Sequence, residues 1–154
     1  MEEFQPLQLK HYLVFKVANE KFAVDILDIE SIHTSRRKGL FDDMEDVRIS
    51  VRMYKKLVPI IKLRDRFRLN GETPLHPSLI FLKCKEDNMG PVVGIQVDQT
   101  LEVVESLVPK KTNGKTTRLI KAMCDIKQEI IMVLRIKDII NHTELINTMN
   151  PALN

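Results

Sequence analysis

Hydrophobic residues recur at every second position along most of this chain, in short runs separated by polar or turn-forming residues, and that period of two predicts strands. The run over 11–17 sets Leu13, Phe15 and Val17 against Tyr12, Val14 and Lys16, and Ala18-Asn19-Glu20 turns it into a second strand over 22–26. A third run, 27–33, leads into a polar loop over 34–46. Residues 47–54 alternate most cleanly, with Val47, Ile49, Val51 and Met53 toward a core and Arg48, Ser50, Arg52 and Tyr54 away from it. The run 57–63 is almost wholly apolar, and Pro59, which lacks a ladder donor, predicts an edge position or a bulge there. Past Asn70-Gly71 and Pro74 the pattern resumes over 79–85, 91–97, 100–105, 119–125 and 130–136. Within 91–97, Val93, Ile95 and Val97 share one face, and Gly94 leaves room on the other for a neighbour to approach. The period changes near the C-terminal end: Ile136, Ile139, Ile140, Thr143 and Ile146 fall on one face of a helix that starts near Lys137 and stops before Asn150-Pro151.

About ten strands and one helix imply an all-β fold. With 154 residues and 44% apolar composition the chain can bury a core of its own. The expected organisation is a single domain over 10–146 built from two small five-stranded β-barrel subdomains, with a boundary near 70–78 and flexible ends at 1–9 and 147–154. No apolar run approaches the ~18 residues of a membrane span, and the first residues lack the regions of a signal peptide, so a cytoplasmic protein without membrane insertion is expected.

The net charge of +3 is unevenly spread. The segment 36–68 carries 11 Lys/Arg against 5 Asp/Glu, leaving the remainder negative, an asymmetry that suits either an acidic partner or a solvated face. A basic all-β chain also raises nucleic-acid binding, but aromatics are 5%, Trp is absent, and Phe15, Phe22, Phe67 and Phe81 sit in patterns that bury them, so stacking platforms are scarce and no nucleic-acid partner is expected.

Catalytic and cofactor chemistry finds little support. Cys84 and Cys124 lie in separate apolar runs and read as reduced core thiols. His11, His33, His76 and His142 lack metal-ligand spacing. The acidic loop residues Asp42, Asp43, Glu45 and Asp46 lack the desolvation that splits paired carboxylates into acid and base. Asn113-Gly114-Lys115-Thr116 ends like a phosphate-binding loop, but Pro109 stands where the first glycine is needed. Asn141-His142-Thr143 matches a glycosylation acceptor inside an expected cytosolic helix. No catalytic, metal or cofactor site is expected, and the chain reads as a non-enzyme.

Three strings in order resemble the CheW-like coupling proteins of bacterial chemotaxis. Tyr12-Leu13-Val14-Phe15 with Phe22-Ala23-Val24-Asp25-Ile26-Leu27 is similar to the family's opening hairpin. Val58-Pro59-Ile60-Ile61, then Leu63-Arg64 and Arg66-Phe67, is similar to its Val-Pro-Val-Ile-Asp-Leu-Arg-x-Arg-Phe strand, and Val93-Gly94-Ile95-Gln96-Val97-Asp98 with Glu102-Val103-Val104 to its Val-Gly-Leu-x-Val-Asp-x-Val-x-Glu-Val. The resemblance, covering about 12–140, implies two intertwined five-stranded barrels with an apolar groove between them, a C-terminal helix and no active site. It implies two partners, the cytoplasmic tips of chemoreceptors and the regulatory domain of the histidine kinase CheA, and hence a scaffold that couples receptor state to kinase activity.

Departures from the family pattern gather at the receptor side. Ser31 stands at the family's glutamate, Tyr54 at its arginine, and Lys62 and Arg135 at two aspartates. The missing glutamate and arginine are expected to be neighbours in the family fold, so losing both avoids a lone charge. A divergent adaptor serving an unusual receptor or a non-chemotaxis two-component pathway is the alternative. The implied receptor groove takes Ile29 and Ile32 as apolar anchors, the alternative for both being ordinary core, with Glu30, Ser31, Val51 and Tyr54 at the rim. Leu40 and Phe41 either touch the kinase domain or fold back on the protein's own core.

Overall fold

Alternating side chains become ten strands in the computed structural model, which describes residues 10–34, 47–51, 56–83, 91–105 and 119–139. They are β1 (His11–Val17), β2 (Glu20–Asp25), β3 (Ile29–Thr34), β4 (Val47–Val51), β5 (Lys56–Lys62), β6 (Ser78–Lys83), β7 (Pro91–Val97), β8 (Gln99–Glu105), β9 (Ile120–Ile126) and β10 (Glu129–Leu134), with one helical turn, α1 (Leu63–Arg66), after β5. A second helical turn occupies 136–139 after β10 and buries Ile136 and Ile139, in keeping with the expected helix start; residues from 140 onward, where the sequence predicts its continuation, lie outside the described residues.

The strands form two five-stranded sheets, β8-β1-β2-β10-β9 and β3-β6-β7-β5-β4. Read from the β8 and β3 ends, the ladders follow one pattern, antiparallel, antiparallel, parallel, antiparallel. The parallel ladders place Phe22 beside Met132 in the first sheet and Ile61 beside Ile95 in the second. Each sheet is therefore a structural echo of the other: hairpin β1–β2 matches β6–β7, and hairpin β9–β10 matches β4–β5. Each central hairpin sends its chain onward to the edge of the opposite sheet, β2 to β3 and β7 to β8. The chain thus changes sheets at 26–28 and at Asp98, and residues 63–77 connect β5 to β6 of one sheet.

Three apolar clusters follow from this. The largest lies between the sheets and takes one face of each: Leu13, Phe15 and Val17 from β1 meet Ile80 and Leu82 from β6 and Val93, Ile95 and Val97 from β7. Tyr12 and Val14, on the other face of β1, pack with Ala23, Cys124, Ile131 and Val133 of the same sheet. Val58, Ile60, Leu79 and Phe81 do the same in the second sheet. Clusters buried on one face of a single sheet fit a sheet that curls around that face. The two five-stranded subdomains expected from sequence are present, and they are open rather than closed barrels: among the described residues no ladder joins β8 to β9 or β3 to β4. β3 and β8 each carry a register break, at Glu30 and at Leu101, and such bulges bend the strand and increase its twist.

Pro59 differs from its expected place. β5 is an interior strand between β4 and β7, and Pro59 sits opposite Arg48, one residue before the parallel ladder to β7 begins at Ile60, so its missing N–H withholds nothing from that ladder.

Candidate docking surface

Polar residues at the first sheet crossing decide what the surface offers. Asp25, buried at the end of β2, accepts a hydrogen bond from the Leu27 backbone N–H at 2.9 Å and caps a single 3₁₀ turn over Ile26–Asp28. The turn redirects the chain before β3, so the two apolar residues within it point to water: Leu27 is 63% exposed, and Ile26 is exposed as well. Sequence periodicity placed them in strands. The signal that would have found them is the Asp-Ile-Leu-Asp string, in which an aspartate caps the N–H two residues on.

β3 is an edge strand paired only to β6. Its register break falls at Glu30, between Ile29 opposite Leu82 and Ser31 opposite Phe81. The break sends Ile29 to the intersheet core, where it is partly buried, and leaves Ile32 43% exposed. Of the two isoleucines expected as anchors, Ile32 is thus open to a partner, and Ile29 mainly supports the core. Glu30 lies 3.8 Å from Lys83 Nζ. Ser31 Oγ shares a hydrogen bond with His33 Nε2 at 3.0 Å, and the His33 ring meets Phe81 edge to face at 5.4 Å. Position 31, where the resemblance implied a glutamate, holds a neutral hydroxyl bonded to a neighbour on its own strand.

Val51 ends β4, the opposite edge of the same sheet, with three strands between it and β3 in the hydrogen-bonded order. Tyr54, Leu40 and Phe41 lie outside the described residues, as do Cys84, His142 and the 113–116 string. The other sequence candidates take structural roles. Phe15 and Phe22 are fully buried and stacked, Phe67 packs on Phe22 at 5.1 Å, and Phe81 is buried, so none of the four offers a platform for bases. Cys124 is a free thiol in the core of the first sheet, and burial pushes its pKa up. His11 pairs with Glu105 across the β1–β8 ladder at 3.2 Å. No described helix is long and apolar enough to cross a membrane.

The surface is therefore a strand edge with exposed apolar side chains at a crossing between two sheets, an arrangement that suits docking. A CheW-like domain family model matches residues 11–144. The chain belongs to the CheW-like domain family. The scaffolding protein TtCheW from Thermoanaerobacter tengcongensis, solved by crystallography, has the same fold, with a TM-score of 0.63 over 88% of this chain and 90% of that one at 19% identity. No curated protein matches the sequence. Members of the CheW-like family are non-enzymatic scaffolds in chemotaxis signalling.

Proposed function

We propose that this CheW-like protein is a cytoplasmic, non-enzymatic adaptor that joins the cytoplasmic tips of chemoreceptors to the regulatory domain of the histidine kinase CheA. The observation that carries this reading is the edge strand β3 with its preceding turn, which offers Leu27 and Ile32 to a partner from a rigid two-sheet body of this family. A receptor tip is a helical hairpin with apolar positions at helical spacing, and such a hairpin buries its apolar face against exposed aliphatic side chains of this kind. Glu30, Ser31 and Tyr54 are assigned to the receptor side, with Val51 contributing from the β4 edge and Ile29 supporting β3 from the core, and Leu40 and Phe41 belong to the kinase side. The adaptor transforms nothing: it holds two partners on one body so that the state of one biases the other.

The neutral Ser31, bonded to His33 where the family places a glutamate, favours a variant of this reading in which the receptor served is an unusual one or belongs to a non-chemotaxis two-component pathway. The test is binding of the labelled protein to a CheA regulatory domain and to a receptor hairpin, with an oligonucleotide as the third bait. Micromolar binding to the first two is expected. Retention of the oligonucleotide with a steep loss in salt, and indifference to the kinase domain, would reject the adaptor in favour of a nucleic-acid binder. Ile32→Asp weakens hairpin binding at least tenfold while the fold persists, because a charge on an exposed site disturbs only the surface it faces.

A further inference from the structure

The two places where the chain changes sheets are built differently. At 26–28 the link is local, a 3₁₀ turn capped by Asp25. At Asp98 a single residue separates the last residue of β7 from the first of β8, so one strand of the second sheet passes almost directly into one strand of the first. Asp98 binds both sheets. Its N–H donates to the Lys16 carbonyl at 3.0 Å and its Oδ2 accepts from the Ala18 N–H at 2.8 Å, both in the β1–β2 hairpin of the first sheet. The same Oδ2 accepts from Arg64 Nη2 at 2.5 Å, and Arg64 stands in α1, directly after β5 of the second sheet. Arg64 Nη1 donates to the Asn70 carbonyl at 2.6 Å. Four stretches of chain, 16–18, 64, 70 and 98, therefore meet through one ion pair whose side chains are only 11% and 18% exposed.

Apolar packing between the sheets supplies cohesion but little direction, since aliphatic surfaces tolerate small rotations. A largely desolvated, charge-assisted bond aimed along one line does not. Arg64 Nε is buried with no partner among the described residues, so the guanidinium is positioned for its two contacts at the expense of a third donor.

We propose that the Arg64–Asp98 pair is the joint that fixes the angle between the two sheets, and that, if the protein is the two-partner adaptor argued above, this joint carries the coupling between the partners. The pair lies outside the surface assigned to receptor binding, so it acts as a pair of positioning residues. A body whose halves rotate freely binds each partner as well as before but lets neither sense the other.

The test uses the full chain with Arg64→Met and Asp98→Asn together, which leaves no lone buried charge and lets the asparagine carbonyl still accept from Ala18 N–H. Residual dipolar couplings, fitted separately for the two sheets, give one alignment tensor in the parent protein and two differing tensors in the double variant. Identical tensors in the variant would overturn the joint, whatever the partners prove to be. With partners, the parent binds the CheA regulatory domain about fivefold or more differently when the receptor hairpin is present. In the double variant that ratio falls toward one while each separate affinity stays within about twofold. A ratio unchanged by the substitutions, or a ratio of one in the parent, would overturn the coupling role. Absence of any binding by the parent would reject the adaptor itself and leave the tensor result standing. Arg64→Lys keeps the charge but cannot hold Asp98 and the Asn70 carbonyl in one plane; it gives an intermediate divergence and replaces the double variant if the latter does not fold.

Discussion

Gly94 shows how closely single positions are determined. It lies on the face of the second sheet opposite Val93, Ile95 and Val97, where an added Cβ would collide with Ile60 Cδ1 and press on the Phe81 ring at 3.3 Å. Gly94→Ala is expected to lower stability by about 1–3 kcal/mol through overpacking. Adding Ile60→Val, which deletes the colliding methyl, recovers part of that loss, and urea unfolding of the four proteins in the cycle measures the coupling. That glycine was legible in sequence because it interrupts the Val-Val-Gly-Ile-Gln-Val alternation; which neighbour it admits was not, since Ile60 lies 34 positions earlier and only the parallel β5–β7 ladder brings it opposite. Cys124 was likewise legible as a core thiol. Its raised pKa sets a sign: the folded protein keeps a proton that the unfolded chain releases from about pH 8.5 upward, so stability is full below that pH and falls as pH rises toward the folded pKa. Cys124→Val is expected to flatten the alkaline limb relative to the parent in denaturant titrations between pH 7 and 10.

Among elements, turns account for most of what periodicity could not supply. Period two located all ten strands, but it ran straight through Asp25 to Asp28, where a side-chain cap rather than hydrophobicity sets the conformation. The β9–β10 hairpin turns on Lys127 and Gln128, both with positive φ, the geometry of a tight two-residue loop that glycine and asparagine adopt with little strain. Replacing them by Asn-Gly is expected to raise stability by about 1 kcal/mol, measurable as a higher urea midpoint with an unchanged slope. The exposed pair Lys21–Glu129 beside it joins the neighbouring strands β2 and β10, and Glu129→Gln shifts stability by less than about 0.5 kcal/mol, since water screens such pairs. The bulged edges β3 and β8 present exposed aliphatic residues, Ile32 on one and Leu101 and Val103 on the other, and the similarity of the two edges became visible only once the ladders were paired.

For the molecule as a whole, alternation and length gave an all-β fold of ten strands, while the order of strands within sheets was out of reach, because no local pattern says that β2 pairs with β10. The same ordering makes a prediction about fragments. Cutting in the 70–77 connection separates β1–β5 from β6–β10, and neither piece contains a complete sheet. Each piece alone is expected to give a coil-like far-ultraviolet circular dichroism spectrum, and equimolar mixing to restore the β signal. Ladder order also governs how the polypeptide matures during synthesis. Phe22 of β2 meets Met132 of β10, a residue added 110 positions later. At about 5–20 residues per second, the opening hairpin emerges from the ribosome and waits roughly 5–20 s with one bare flank before its parallel neighbour exists. Translation speed through the C-terminal codons therefore sets how long that flank stays open to rival strands, and a nascent chain stalled short of β10 is a substrate for chaperones rather than an adaptor with a missing tail.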